Sequence, residues 1–116
     1  MIRVVYEPNA HSMGAEGHAG SAPYGEDLVC AAVSALMLTL SRAAWELEKQ
    51  GYGACGGCIA TGLGRVWFQP KAGCEPIVRA MMNTVAIGME MLAEDYSDCV
   101  EFVVREETRK EERNEV

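Results

Sequence analysis

The sequence predicts an α+β fold, a small mixed β-sheet with two helices packed on it, in the order β-β-α-β-β-α-β. Three observations carry this expectation. Two long segments, 27–49 and 75–95, repeat apolar residues at spacings of three and four, the period of a helix with one buried face. Short runs rich in valine, isoleucine and aromatic residues stand at both ends of the chain and between those segments. Glycine and proline punctuate the junctions. Strands at both ends with helices between them suit helices layered on one sheet.

The first strand covers Ile2–Glu7 and ends at Pro8-Asn9. A second runs from His11 to Glu16, weakened by Gly14, and delivers His18 to the sheet edge. From Gly20 to Glu26, glycine at 20 and 25 and Pro23 between them mark a loop. The first helix spans Asp27–Lys49, with Val29, Val33, Leu36, Leu40, Ala44 and Leu47 as its stripe. Its first half is apolar on nearly every face, which predicts a central helix covered on both sides; Trp45 reads as a core or dimer-contact aromatic rather than a ligand contact. Glu46, Glu48, Lys49 and Gln50 mark a solvated end and Gly51 stops the helix.

A hairpin follows, Ala54–Thr61 and Arg65–Gln69 about a turn near Gly62-Leu63-Gly64. The second helix spans Glu75–Asp95, with Pro76 at a first-turn position where no N–H is needed. Val78, Met81, Met82, Val85, Met89 and Leu92 form its stripe, and Ile77 and Ile87 broaden it. Its methionines suit either an adaptable peptide groove or a core, and core packing is the reading preferred. Cys99–Val104 gives a last strand. Residues 1–105 thus read as one domain and 106–116 as a charged tail, frayed or disordered.

At 116 residues with 49% hydrophobic and 23% charged composition, the chain can bury one core without disulfides. Its net charge is −7, of which the last eleven residues hold −2. An acidic body argues against direct nucleic-acid binding and is compatible with a basic protein substrate. The opening Met1-Ile2-Arg3-Val4-Val5 reads as a strand rather than a leader, and the apolar run Leu28–Leu40 is short for a membrane span and broken by Ser34 and Thr39. The expectation is a cytoplasmic protein, off the membrane, with five reduced cysteines.

The chemistry concentrates between Gly17 and Leu36, which hold His18 and Cys30. A thiol in the first turn of a helix meets the positive end of the helix dipole and unpaired backbone N–H groups, and both favour the thiolate. With Asp27 as N-cap, its carboxylate accepts from the N–H of Val29 or Cys30 and partly opposes that effect. A histidine from the preceding strand can take the thiol proton and return it to a leaving amine, making a Cys/His dyad. Ser34, four residues on, shares the face of Cys30. The competing reading is a small buried hydrophobe beside an unrelated histidine. Elsewhere, Cys55-Gly56-Gly57-Cys58 is a C-x-x-C, half a zinc site or a redox pair. Cys74 and Cys99 stand without a second such motif or a nearby histidine, so incidental thiols on a glycine-rich strand are the preferred reading, with no metal.

Gly17-His18-Ala19, then Gly25-x-Asp27, then Cys30-Ala31-Ala32-Val33-Ser34 resembles, nearly residue for residue, the signature of the ribosomal-processing cysteine proteases of the Prp family. The resemblance implies Cys30 as nucleophile, His18 as its base and no cofactor. It implies a substrate-contacting segment that includes Gly17, Ala19, Gly20, Tyr24 and Gly25, with the loop from Gly20 to Glu26 acting as a lid over the substrate. It further implies a homodimer and an endopeptidase that works through a thioester. Its substrate would be the precursor of the large-subunit ribosomal protein numbered twenty-seven, whose N-terminal extension is cut after an aromatic residue; phage and prophage relatives would trim capsid-type proteins. Backbone N–H groups at the helix start, that of Cys30 included, are the expected oxyanion donors. Asp27 would orient His18 or only cap the helix, the cap being preferred, and Ser34 would support the thiol. Two other classes stay open: a non-catalytic binding or assembly module with Cys30 buried, and a zinc adaptor built on Cys55 and Cys58.

Overall fold

The structure, a computed structural model, describes residues 1–17, 24–60 and 62–106, with the backbone alone for 24–27. Strands β1 (Ile2–Glu7), β2 (Ser12–Glu16), β3 (Gly53–Ala60), β4 (Leu63–Pro70) and β5 (Val100–Val104) form one sheet in the order β3-β4-β2-β1-β5. A single turn of tighter helix, Pro8–Ala10, joins β1 to β2, with His11 closing it in the left-handed region. Helices α1 (Tyr24–Lys49) and α2 (Glu75–Asp95) complete the expected element order. Only β1 and β5 pair in parallel, Val4 opposite Phe102; every other pairing is antiparallel. That parallel pair is what the α2 crossover permits, since parallel neighbours need a long connection.

The alternation of each strand decides which face meets the helices. Ile2, Val4 and Tyr6 of β1 and Val66 and Phe68 of β4 are buried, and both helices pack on that side, α1 over β3 and β4, α2 over β5. Val29, Val33, Met37, Leu40 and Ala44 of α1 interlock there with Val78, Met82, Val85 and Met89 of α2. Each such side chain contributes roughly 1.5–3 kcal/mol by leaving water. Met13, Met82 and Met89 are fully buried, so these methionines are core and not groove. The Tyr6 hydroxyl, buried at the bottom of the sheet, donates to the Asn83 side chain of α2.

Several expectations need correction. The first helix starts at Tyr24 rather than Asp27, so Tyr24 and Gly25 belong to its first turn and not to a loop. It is not covered on both sides: Leu28, Leu38 and Trp45 face outward, with Trp45 47% exposed and outside the core. The two-layer fold has no third layer to place on that face. Ile77 and Ile87 likewise lie outside the buried stripe of α2, because an eighteen-residue run of mostly apolar positions holds more hydrophobic residues than one 100°-wide face can bury. The helix from Leu28 to Lys49 is, by length and composition, long and apolar enough to cross a membrane; here its inner face is part of the core. The tail expectation for 107–116 lies outside the described residues.

Candidate active site

The second strand ends where the sequence places its first functional residues. Gly17 has φ +98°, and a β-carbon there would stand 2.3 Å from the carbonyl oxygen of Met1. Only glycine fits that backbone and that approach. Its N–H donates to the Gly62 carbonyl at 2.9 Å, which ties the end of β2 to the turn between β3 and β4. The chain is thereby fixed at the residue bonded to His18.

On the other side of the same space, α1 presents Cys30, half-buried, with Ser34 one turn further along and exposed. Cys30, Ser34 and Gly17 line one cleft of about 270 Å³. Its apolar floor and walls come from Ile2, Ala15, Val33 and Met37, and its rim from Ile59, Ala60, Gly62, Leu63 and Gly64. The fold therefore gathers a thiol, a hydroxyl and the glycine preceding a histidine around a concave apolar surface. A peptide carbonyl lying in it would be within reach of the thiol while its side chain rests on the apolar wall.

The sequence-predicted residues are placed unequally. Gly17, Cys30 and Ser34 come together. His18, Ala19 and Gly20 lie outside the described residues, as do the side chains of Tyr24 and Asp27; the lid expectation for 20–23 lies outside them too. Asp27 stands fourth in α1, not at its N-cap, because helix continues three residues upstream of it. The cap role is corrected accordingly. The same shift makes Cys30 the seventh helical residue. Its N–H falls beyond the first four that an α-helix leaves unpaired, so it is not an oxyanion donor. Tyr24, Gly25, Glu26 and Asp27 supply the unpaired N–H groups at this end, and the dipole effect on Cys30 is correspondingly weaker in its second turn. Sequence reasoning missed the part played by Ile2, Ile59 and the Gly62–Gly64 turn; the paired glycines at 62 and 64 were the available signal.

The second cysteine motif has a different environment. Cys55 and Cys58 lie in the regular register of β3, opposite Phe68 and Arg65. Three residues of strand separate their Cα atoms by about 10 Å, beyond disulfide reach. Burial first, and then the Glu48 carboxylate that accepts from its thiol at 3.0 Å, push Cys55 up to about 11. A thiol held protonated in this way is a poor metal ligand and a poor nucleophile. The glycines between the cysteines have separate reasons: the Trp67 ring lies over Gly56, where a β-carbon would meet it at 2.3 Å, and Gly57, at φ +132°, would drive a β-carbon against the Arg65 carbonyl. Among the described residues, no group of three or more His, Cys, Asp or Glu side chains is placed to hold a metal ion.

Comparison with known proteins bears on the family and the fold. The sequence pattern of the family described as "Cysteine protease Prp" matches residues 1–101. Two crystal structures of the essential ribosomal processing protease Prp from S. aureus superpose with TM-scores of 0.72 and 0.71, at 18% and 20% identity, each over 90% of this chain and all of the other. One of them holds a substrate peptide and the other a covalently linked product peptide. A Streptococcus mutans protein superposes with a TM-score of 0.65 at 24% identity, over 90% of this chain and 92% of the other. A search of curated protein sequences finds no match.

Proposed function

The chain belongs to the Prp family of cysteine proteases, and we propose on that basis that it is an endopeptidase in which Cys30 and His18 form the catalytic dyad. The observation that carries the reading is the shared cleft: Cys30 opens onto it, and Gly17, bonded to His18, is pinned at its edge.

The reaction follows from that pair. His18 takes the thiol proton, and the Cys30 sulfur adds to the scissile carbonyl carbon, forming the C–S bond of a tetrahedral intermediate. Collapse breaks the C–N bond as His18 returns the proton to the departing amine, leaving a thioester on Cys30. His18 then deprotonates a water, the hydroxide adds to the thioester carbon, and loss of the sulfur regenerates the thiol. The unpaired N–H groups of the first turn of α1 are the backbone donors nearest in sequence to the developing oxyanion. The Ser34 hydroxyl, one turn from the thiol, offers a further hydrogen bond within the cleft. All of this is protein and water chemistry and calls for no cofactor.

The substrate is proposed as the precursor of the large-subunit ribosomal protein numbered twenty-seven, cut at the end of its N-terminal extension. The name of the S. aureus neighbours as ribosomal processing proteases supports it, as does the net charge of −7, which suits a basic ribosomal protein. The test is cleavage of a peptide spanning the aromatic junction by the wild type, Cys30→Ala and His18→Ala. The wild type cuts, Cys30→Ala does not, and His18→Ala loses roughly 10²–10⁴-fold in rate. Undiminished cleavage by Cys30→Ala would remove the proposed nucleophile.

A further inference from the structure

A scissile bond at Cys30 is joined on both sides to more chain, and that chain must leave the cleft. Among the described residues, one way out of the cleft runs along α1. Ile59, on the cleft rim, also belongs to a second groove of about 330 Å³ that lies between α1 and the edge strand β3. One wall of this groove is Leu38, Ser41 and Trp45 of α1; its floor is Gly56, Gly57 and Val66. Leu38 is 55% exposed although its neighbours on the opposite face are core. The Trp45 ring at the far end is held from the solvent side by Lys49, whose Nζ lies 4.0 Å from the ring centroid, and by Arg42 at 5.2 Å. Both cations are themselves anchored to Glu46, at 3.4 and 3.1 Å. These contacts bring both cations against the Trp45 ring at the end of the groove.

The dimensions of the groove choose the occupant. From Cys30 to Trp45 is fifteen helical residues, about 22 Å along α1, the span of roughly six or seven residues of extended chain. β3 is an edge strand, with β4 its one neighbour among the described residues, so no further strand closes the groove beyond it. An extended peptide lying there would place alternate side chains toward α1, where Leu38 and Trp45 stand.

We infer that the substrate segment on one side of the scissile bond lies extended in the α1–β3 groove, and that Trp45 selects an apolar side chain about six residues from the cut. This rests on Cys30 being the nucleophile and adds to it a requirement for length and for a distant apolar anchor.

The experiment compares junction peptides that keep about six residues on each side of the cut with peptides trimmed to about two residues on one side or the other. Trimming one particular side raises KM about tenfold with little change in kcat, and Trp45→Ala abolishes that long-over-short preference. Ile87→Ser, on the outer face of α2, retains it. A preference that survives Trp45→Ala, or cleavage indifferent to length on both sides, overturns the groove while leaving the protease intact. Should no peptide be cut, binding to Cys30→Ala in a Trp67→Phe background, where Trp45 is the one remaining tryptophan, decides the matter. A blue shift of its emission with the long peptide and not the trimmed one upholds the groove although the proposed reaction has failed. No shift with either peptide overturns it. Loss of the preference in Ile87→Ser as well, with a change in sedimentation, assigns the effect to a second copy of the chain and also overturns it.

Discussion

Cys30 and Cys55 are both half-buried thiols within a few residues of glycine, and their surroundings divide them. Cys30 looks into a concave apolar cleft that ends at the glycine before a histidine. Cys55 is held protonated by burial and by a carboxylate that accepts a hydrogen bond from its thiol, on a strand where Gly56 admits the Trp67 ring. The familiar spacing belongs to the inert one. A C-x-x-C motif states only that two thiols are close in sequence, whereas nucleophilicity depends on what each sulfur meets in space. The contrast also separates two uses of glycine, one fixing the edge of the cleft beside Cys30 and the other letting two strands pack closely.

The largest effect that would break this comparison is at Gly17. Gly17→Ala forces a left-handed residue and drives a β-carbon against the Met1 carbonyl, and both faults fall on the wall of the cleft. Gly51→Ala is its control, since Gly51 also has positive φ (+90°) but nothing within 4 Å of the added atom. The control costs about 1–2 kcal/mol in thermal or urea unfolding. Gly17→Ala costs clearly more, and loses cleavage even where it folds. Equal destabilisation of the two would show that the Met1 contact does not hold the cleft edge in place.

A smaller effect sharpens the other half. Glu48→Gln removes the carboxylate that helps hold the Cys55 proton and leaves burial as the main cause, so the thiol falls from about 11 toward its ordinary value without reaching it. At pH 9 the wild-type thiol is roughly 1% ionised, by its distance of about two units from that value. Alkylation of Cys55 at that pH, read by peptide mapping, rises several-fold in Glu48→Gln. An unchanged rate would place its inertness in burial alone.

Most of the fold was legible because its signals are periodic. The stripes of both helices, the alternation in β1 and the hairpin all follow from spacing, and the core residues Val29, Val33, Leu40, Val78, Met82 and Met89 could be named from the sequence. What spacing does not reveal is which face of an all-round apolar helix is left uncovered. Trp45 was therefore expected in the core or a dimer contact, and stands instead half-exposed in a groove. The start of α1 was placed three residues late because Pro23 and Gly25 look like turn residues, and that error misassigned both the cap role of Asp27 and the N–H of Cys30. Within the site, Gly17, Cys30 and Ser34 were readable as a motif. The walls given by Ile2 and Ile59 were not, since they arrive from strands distant in sequence and only the sheet order brings them to α1.

The central claim, that Cys30 is the activated thiol of the chain, is most directly tested by a race among its five cysteines. Limiting iodoacetamide is added to the folded protein at pH 7, and the labelled positions are counted by peptide mapping in the wild type and in His18→Ala. The account predicts that Cys30 is labelled first and that the loss of His18 slows it selectively, with Cys55 last in both. Labelling of Cys30 no faster than that of the exposed Cys58, and indifferent to His18, would contradict it.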